Sequence, residues 1–197
     1  MIPAMSREGT RFTGVELGLE DENALLRASL AEAQGRLQAI EEAADLDPLT
    51  GLPNRRRFVR GVERLVGQAE RHGTPAALVS IDLKGLAAIN ETHGRLGGDS
   101  VIVHVGKLLA GLIRSTDMVA RIGGDVFGLL LDHLDQNSAI ETAERLGRCI
   151  AANPIELGGN AVSVQAQTAV TGILAGDSVE DVIARAERNL ARAKSGD

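Results

Sequence analysis

The stretch RIGGDVFGLLL, residues 121–131, sets Gly-Gly-Asp between two apolar, strand-like runs. Such a pattern reads as a tight hairpin whose turn carries one carboxylate, Asp125. A second carboxylate, Asp82, stands near the end of the apolar run PAALVSIDL (75–83). If the two runs are neighbouring strands, Asp82 and Asp125 meet at one edge of the sheet. Paired carboxylates there suit a hard cation such as Mg²⁺, which also shares phosphate oxygens. Gly123 and Gly124 would let a phosphate come close to the backbone. The next position could have held another carboxylate, and it holds Val126. On these residues alone three readings stand: a metal site, the remnant of one, or only a turn.

The elements that must position these residues follow from periodicity. Asn54 reads as the cap of a helix whose apolar face is Phe58, Val62 and Leu65. Residues 75–83 are a buried strand, 98–114 a helix, and 117–132 the hairpin. Residues 135–153 form a helix opening on polar caps, 161–173 an alternating strand, and 178–194 a final helix. Helices interleaved around an antiparallel pair predict an α/β fold, a mainly antiparallel central sheet covered by helices. Ahead of it, Leu19, Asn23, Leu26, Leu30, Ala33, Leu37, Ile40 and Ala44 recur in steps of three and four. That is a heptad seam, read as a helical coiled-coil stalk over 19–45 after a flexible leader at 1–18. The competing reading packs this helix on its own domain.

Composition excludes several classes. A net charge of -6 opposes nucleic-acid binding, which needs clustered positive charge. The three aromatic residues, all Phe, offer no stacking platform for single strands. No run of apolar residues is long enough to span a membrane. Cys149 is the single cysteine, which leaves no internal disulfide and fits a reducing, cytoplasmic setting. It reads as a core residue. His72, His93, His104 and His133 lack metal-ligand spacing, His93 falling in an exposed loop. The RRR run at 55–57 reads as a solvated helix face.

Four blocks then occur in order: DPLTGLPNRRRF (47–58), SIDLKGLAAINETHGRLGGDSVI (80–102), RSTDMVARIGGDVF (114–127) and RAERNLARAK (185–194). Together they resemble the GGDEF domain of diguanylate cyclases, over residues 46–197. The resemblance implies a cyclase-palm-like sheet flanked by helices. It also implies condensation of two GTP into cyclic di-GMP by a pair of domains, with metal ions on the phosphates. Asp82 matches a metal-binding Asp of the family, Asn90 and Asp99 match its guanine-reading pair, and Lys194 matches a phosphate-contacting lysine. Gly123, Gly124, Asp125 and Phe127 match the signature turn. The departures are Lys84 for a second Asp, Leu86-Ala87 for a Phe-Lys pair, and Val126 for the signature Glu. Valine neither ligates a metal nor moves a proton, so the turn reads as the remnant of a metal site with Asp125 its leftover acid. No cofactor is then required, and Mg²⁺ enters only if GTP binds the remnant.

Arg114-Ser115-Thr116-Asp117 is the one R-x-x-D in the chain, and five residues separate it from Gly123. Within this family it resembles the inhibitory site that binds cyclic di-GMP. Arg114 would fork onto the guanine O6/N7 edge while Asp117 accepts from N1 and N2. The plainer reading is a surface ion pair at a helix end. The expectation is a catalytically inactive cyclic di-GMP receptor, homodimeric through its stalk, acting on an unknown downstream protein. The alternatives are a weak diguanylate cyclase binding GTP, and a protein-interaction scaffold.

Overall fold

A computed structural model describes residues 18–196, with the side chains of its first helix described over 21–36 only. The elements are α1 (Leu19–Ala43), α2 (Arg55–His72), β1 (Ala76–Lys84), α3 (Leu86–Leu112), β2 (Met118–Arg121), β3 (Val126–Asp132), α4 (Gln136–Ala152), β4 (Ile155–Leu157), β5 (Asn160–Val162), β6 (Gln165–Ile173) and α5 (Val179–Ser195). The chain divides into two compact units, one ending at Ala43 and one beginning at Ala44.

In the first unit α1 is a single helix of 25 residues. Its Leu25, Leu26 and Leu30 are more than half exposed. Leu37 and Ile40, expected in the same seam, lie outside the described side chains, and the leader at 1–17 lies outside the described residues.

The second unit is built on a four-stranded sheet of order β2-β3-β1-β6. Every neighbouring pair is antiparallel. β1 lies inside the sheet, and its first eight residues are buried. Alternate side chains leave opposite faces of a strand, which divides the core in two. Ala77, Val79, Ile81 and Leu83 meet Val101, Val105 and Leu109 of α3 and Leu146 and Ile150 of α4. Ala76 and Leu78 meet Phe58, Val62 and Leu65 of α2 and Val182 and Ala186 of α5. Asp82 leaves the strand on this second face.

The caps explain where the helices begin. Asn54 accepts a hydrogen bond from the Arg57 amide at the head of α2, as its sequence position predicts. Ser178 and Asp181 form a reciprocal capping box at α5. Asp135 accepts from the Asn137 and Ser138 amides at α4.

Four sequence expectations shift. The helix expected from 98 begins at Leu86 and bends at Gly94, whose φ of 71° breaks the ladder. His93 is therefore helical and half-buried, not part of an exposed loop. The strand expected over 161–173 divides into β5 and β6, because Asn160–Val162 turns back to pair with β4 in a separate hairpin. Cys149, read from the sequence as a core residue, is half-buried.

Candidate functional site

Asp82 and the signature turn do come together, at the C-terminal end of β1. Asp82 stands directly opposite Val126 on β3 and opposite Gln167 on β6. Cross-strand partners share a face with Cβ atoms about 5 Å apart. The position where a second carboxylate would face Asp82 is thus occupied by valine. Asp125 is one residue outside the pairing. Its backbone carbonyl accepts from the Leu83 amide at 3.1 Å, which docks the turn on the end of β1. The Ile122 and Gly123 amides both donate to the Val126 carbonyl and close the turn.

Arg121 braces that turn. Its Nη2 and Nε donate to the Gly124 carbonyl at 2.8 and 3.2 Å. Its Nη1 reaches both oxygens of Asp47 at 3.2 Å. Asp47 also accepts from the Thr50 amide and hydroxyl at 2.9 and 2.7 Å. Burial pushes the Asp47 carboxyl up, but the Thr50 bonds and Arg121 together outweigh it and hold the group below the usual carboxylate range. The DPLTG segment and the signature turn are one braced unit.

A lysine from the far end of the chain completes the picture. Lys194, in the last turn of α5, places its ammonium nitrogen 2.5 Å from Asp82 Oδ1. The contact is electrostatic, its direction not that of a regular hydrogen bond. Asp82 itself is buried. Beside this pair the surface is apolar: Val126 lines a cavity of about 190 Å³ with Phe58, Ile122, Ile183 and Leu190.

These residues do not fit a divalent metal. Among the described residues no three acidic, histidine or cysteine side chains converge on a point. Asp82 already holds a cation. At an effective dielectric of 20 two unit charges 4 Å apart interact by about 4 kcal/mol, so a divalent ion sharing Asp82 with an ammonium would be opposed by about twice that.

The other residues matched to a nucleotide site lie on α3. Asn90 precedes the Gly94 bend and Asp99 follows it, both half-buried. Gly98 makes room for Asn90: a methyl there would collide with the Asn90 side-chain amide. Lys84, two residues beyond Asp82 on β1, is exposed.

At the other end of β2 the Arg114–Asp117 turn has a different design. The plain ion pair is absent. Asp117 Oδ2 accepts from the Arg114 backbone amide at 3.1 Å, and Oδ1 accepts from the Asp132 amide at 3.2 Å. The Arg114 side chain is left exposed. Arg145, on α4, lines the same small cavity of about 80 Å³ as Arg114, Asp117 and Asp132. Sequence reasoning missed Arg145. Its only signal was a place on an exposed helical face, 31 residues from Arg114. Neither guanidinium has an ion-pair partner among the described residues.

The RRR run is exposed, as expected of a solvated helix face, and two of its arginines are also paired. Arg56 donates from Nε and Nη2 to Asp45 Oδ1 at 3.0 and 2.8 Å, and Arg60 pairs with the other oxygen. Arg55 reaches Glu187 of α5 at 3.1 Å.

Residues 44–197 match the family model of the diguanylate cyclase GGDEF domain. The diguanylate cyclase DgcP of Pseudomonas aeruginosa is 29% identical over 206 residues, which cover 94% of this chain and 31% of that protein. The chain spans 23% and 34% of two further curated relatives, and about half of two others. The coiled coil and GGDEF domain of DgcB from Caulobacter crescentus, solved with cyclic di-GMP, superpose with a TM-score of 0.78 at 23% identity, over 91% of this chain and 96% of that one. A microbial GGDEF domain described in its interaction with cyclic di-GMP is 25% identical with a TM-score of 0.70, over 80% and 94% of the two chains.

Proposed function

The chain belongs to the GGDEF domain family, and on that premise we propose that it binds cyclic di-GMP at Arg114 and Asp117 and does not synthesise it. One observation carries the reading: Asp82 faces valine and holds an internal lysine, while Arg114 and Arg145 line one cavity with their guanidiniums unengaged. The likeness to a domain that interacts with cyclic di-GMP supports it.

The chemistry of the receptor site is direct. Arg114 presents a planar fork of donors suited to guanine O6 and N7, and Arg145 adds a second cation toward the phosphates. Asp117 spends one lone pair of each oxygen on a backbone amide. A carboxylate has about four acceptor positions, so it retains the capacity to accept from guanine N1 and N2. The same two backbone bonds fix its orientation before any ligand arrives. No cofactor is needed for this binding, and Mg²⁺ has no part in it.

The receptor acts as a homodimer through α1 in the cytoplasm, on a downstream protein. Among the described residues no helix is long and apolar enough to cross a membrane. Exposed Leu26 and Leu30 on α1 support a seam buried by a second copy. Light scattering tests this part: Leu26→Glu/Leu30→Glu yields a monomer, and an unchanged mass overturns it.

Calorimetric titration with cyclic di-GMP, on protein freed of copurified nucleotide, tests the main reading. Wild type binds and Arg114→Ala does not. Incubation with GTP and Mg²⁺ or Mn²⁺, followed by chromatography, yields no cyclic di-GMP. A product that disappears in Asp125→Ala would restore the weak-cyclase reading, and failure to bind either nucleotide would leave a scaffold.

A further inference from the structure

We propose that Lys194 is the resident cation of the signature-turn site: its ammonium fills the seat beside Asp82 and closes the site to divalent metal ions. The inference stands on Asp82, Val126 and Lys194, so binding of cyclic di-GMP at Arg114 neither supports nor sinks it.

The lysine is delivered by a rigid element. α5 is anchored at its head by the Ser178–Asp181 capping box and in its middle by buried Val182 and Ala186. Asn189 Nδ2 then donates to the Val170 carbonyl at 3.1 Å and to Thr171 Oγ1 at 2.9 Å, fixing the helix on β6. Leu190 and Lys194 are one turn apart and so share a face. Leu190 lines the cavity with Val126, and Lys194 continues that face to Asp82.

Two features make a tethered ammonium the better occupant. Asp82 is the one carboxylate in its row across β3, β1 and β6, flanked by Val126 and Gln167. Mg²⁺ held by one carboxylate and water binds weakly, since it gives up its hydration shell reluctantly. The lysine is covalently attached to a docked helix and is present at high effective concentration, which a dissolved ion must match. The side chain stays 45% exposed. An ammonium has three donors, so protons remain for an anionic group, and a phosphate reaching this site would meet a cation that needs no metal.

Mn²⁺ binding followed by electron paramagnetic resonance tests the proposal without recourse to activity. Wild type and Val126→Glu are titrated beside the double variants Val126→Glu/Lys194→Met and Val126→Glu/Lys194→Arg. Wild type binds no Mn²⁺ at millimolar concentration. Val126→Glu restores the second carboxylate opposite Asp82 but still meets the ammonium. Val126→Glu/Lys194→Met binds at least about ten-fold more tightly than Val126→Glu. The arginine double variant, which keeps the positive charge, resembles Val126→Glu. Circular dichroism confirms the fold of each, and Lys194→Gln replaces Lys194→Met if that variant does not fold. Millimolar binding by wild type overturns the proposal. So does equal binding by Val126→Glu and the methionine double variant, or no binding by that double variant.

Discussion

Two turns cap the ends of the four-residue strand β2, roughly 15 Å apart by strand rise, and they treat charge in opposite ways. At the signature turn two carboxylates are paired inside the chain: Asp82 with Lys194, Asp47 with Arg121. Beside them Val126 stands above a mainly apolar cavity lined by Phe58 and Leu190. At the Arg114 turn the carboxylate is spent on backbone amides, and two guanidiniums are left to face solvent. A carboxylate paired inside the chain has little to offer a dissolved metal. A chain that leaves arginines unpaired on a rigid turn keeps its binding energy for a ligand. Motif matching alone would rank the two turns the other way, since the glycines and Asp125 are the more conspicuous signal.

Arg114→Ala is the sharpest way to break this comparison. The variant loses about a hundred-fold or more in cyclic di-GMP affinity by calorimetry, near the upper end of what a bidentate contact to a base contributes, about 3 kcal/mol. Arg114 is exposed, so the melting temperature stays within about one degree of wild type. Val126→Glu, at the other turn, leaves the affinity unchanged. Equal losses from both substitutions would mean the turns are not separate sites.

Arg145→Ala comes next, with a loss of about ten-fold. Its position on α4 makes it a second contact and not the base reader. This prediction rests on a residue that was invisible in the sequence, and the reason is general. Arg114-Ser115-Thr116-Asp117 is a local motif, legible because its spacing is its geometry. Arg145 and Lys194 reach their sites through tertiary packing, which no short-range spacing encodes. β1, the β2–β3 hairpin, β6 and four of the five helices were legible from periodicity and caps. The first half of α3 was not, because Gly94 interrupts the pattern while the helix resumes beyond it. The β4–β5 hairpin was hidden because Asn160–Val162 alternates in phase with the start of β6. Arg55 and Arg56 are exposed as read, but their partners, Glu187 and Asp45, are known only once α2 is docked.

Asp117 separates structure from binding. Asp117→Ala removes the acceptor of two backbone amides, at a cost of about 1–2 kcal/mol in stability together with lost affinity. Asp117→Asn keeps one carbonyl acceptor and recovers part of the stability, yet it cannot accept from both guanine donors. Urea unfolding and calorimetry on the two variants should therefore rank differently. If stability and affinity fall in parallel, Asp117 acts only by holding the turn.

The smallest effect concerns the brace of the signature turn, and it carries a sign that pH can read. The Asp47 carboxyl is pushed up by burial, but its bonds to Thr50 and Arg121 prevail, and it titrates below the usual carboxylate range in the folded protein. A carboxylate with a depressed folded value stabilises the fold fully above its unfolded value, around pH 4. That contribution is lost as pH falls through the folded value. Asp47→Asn should therefore cost about 1 kcal/mol in urea unfolding at pH 7, and the gap from wild type should shrink as pH drops below about 4. Arg121→Ala should show the same convergence, since it removes the partner. Asp177, lowered by its hydrogen bond from Arg185, titrates in the same window at the junction of β6 and α5. Asp177→Asn therefore loses stability with the same pH profile but leaves the signature turn intact. The two are told apart by amide exchange at Gly123 and Gly124, which quickens in Asp47→Asn and Arg121→Ala only. A gap that stays constant from pH 7 to pH 3 would mean that Asp47 braces the turn by shape and hydrogen bonding alone, with no contribution from its charge.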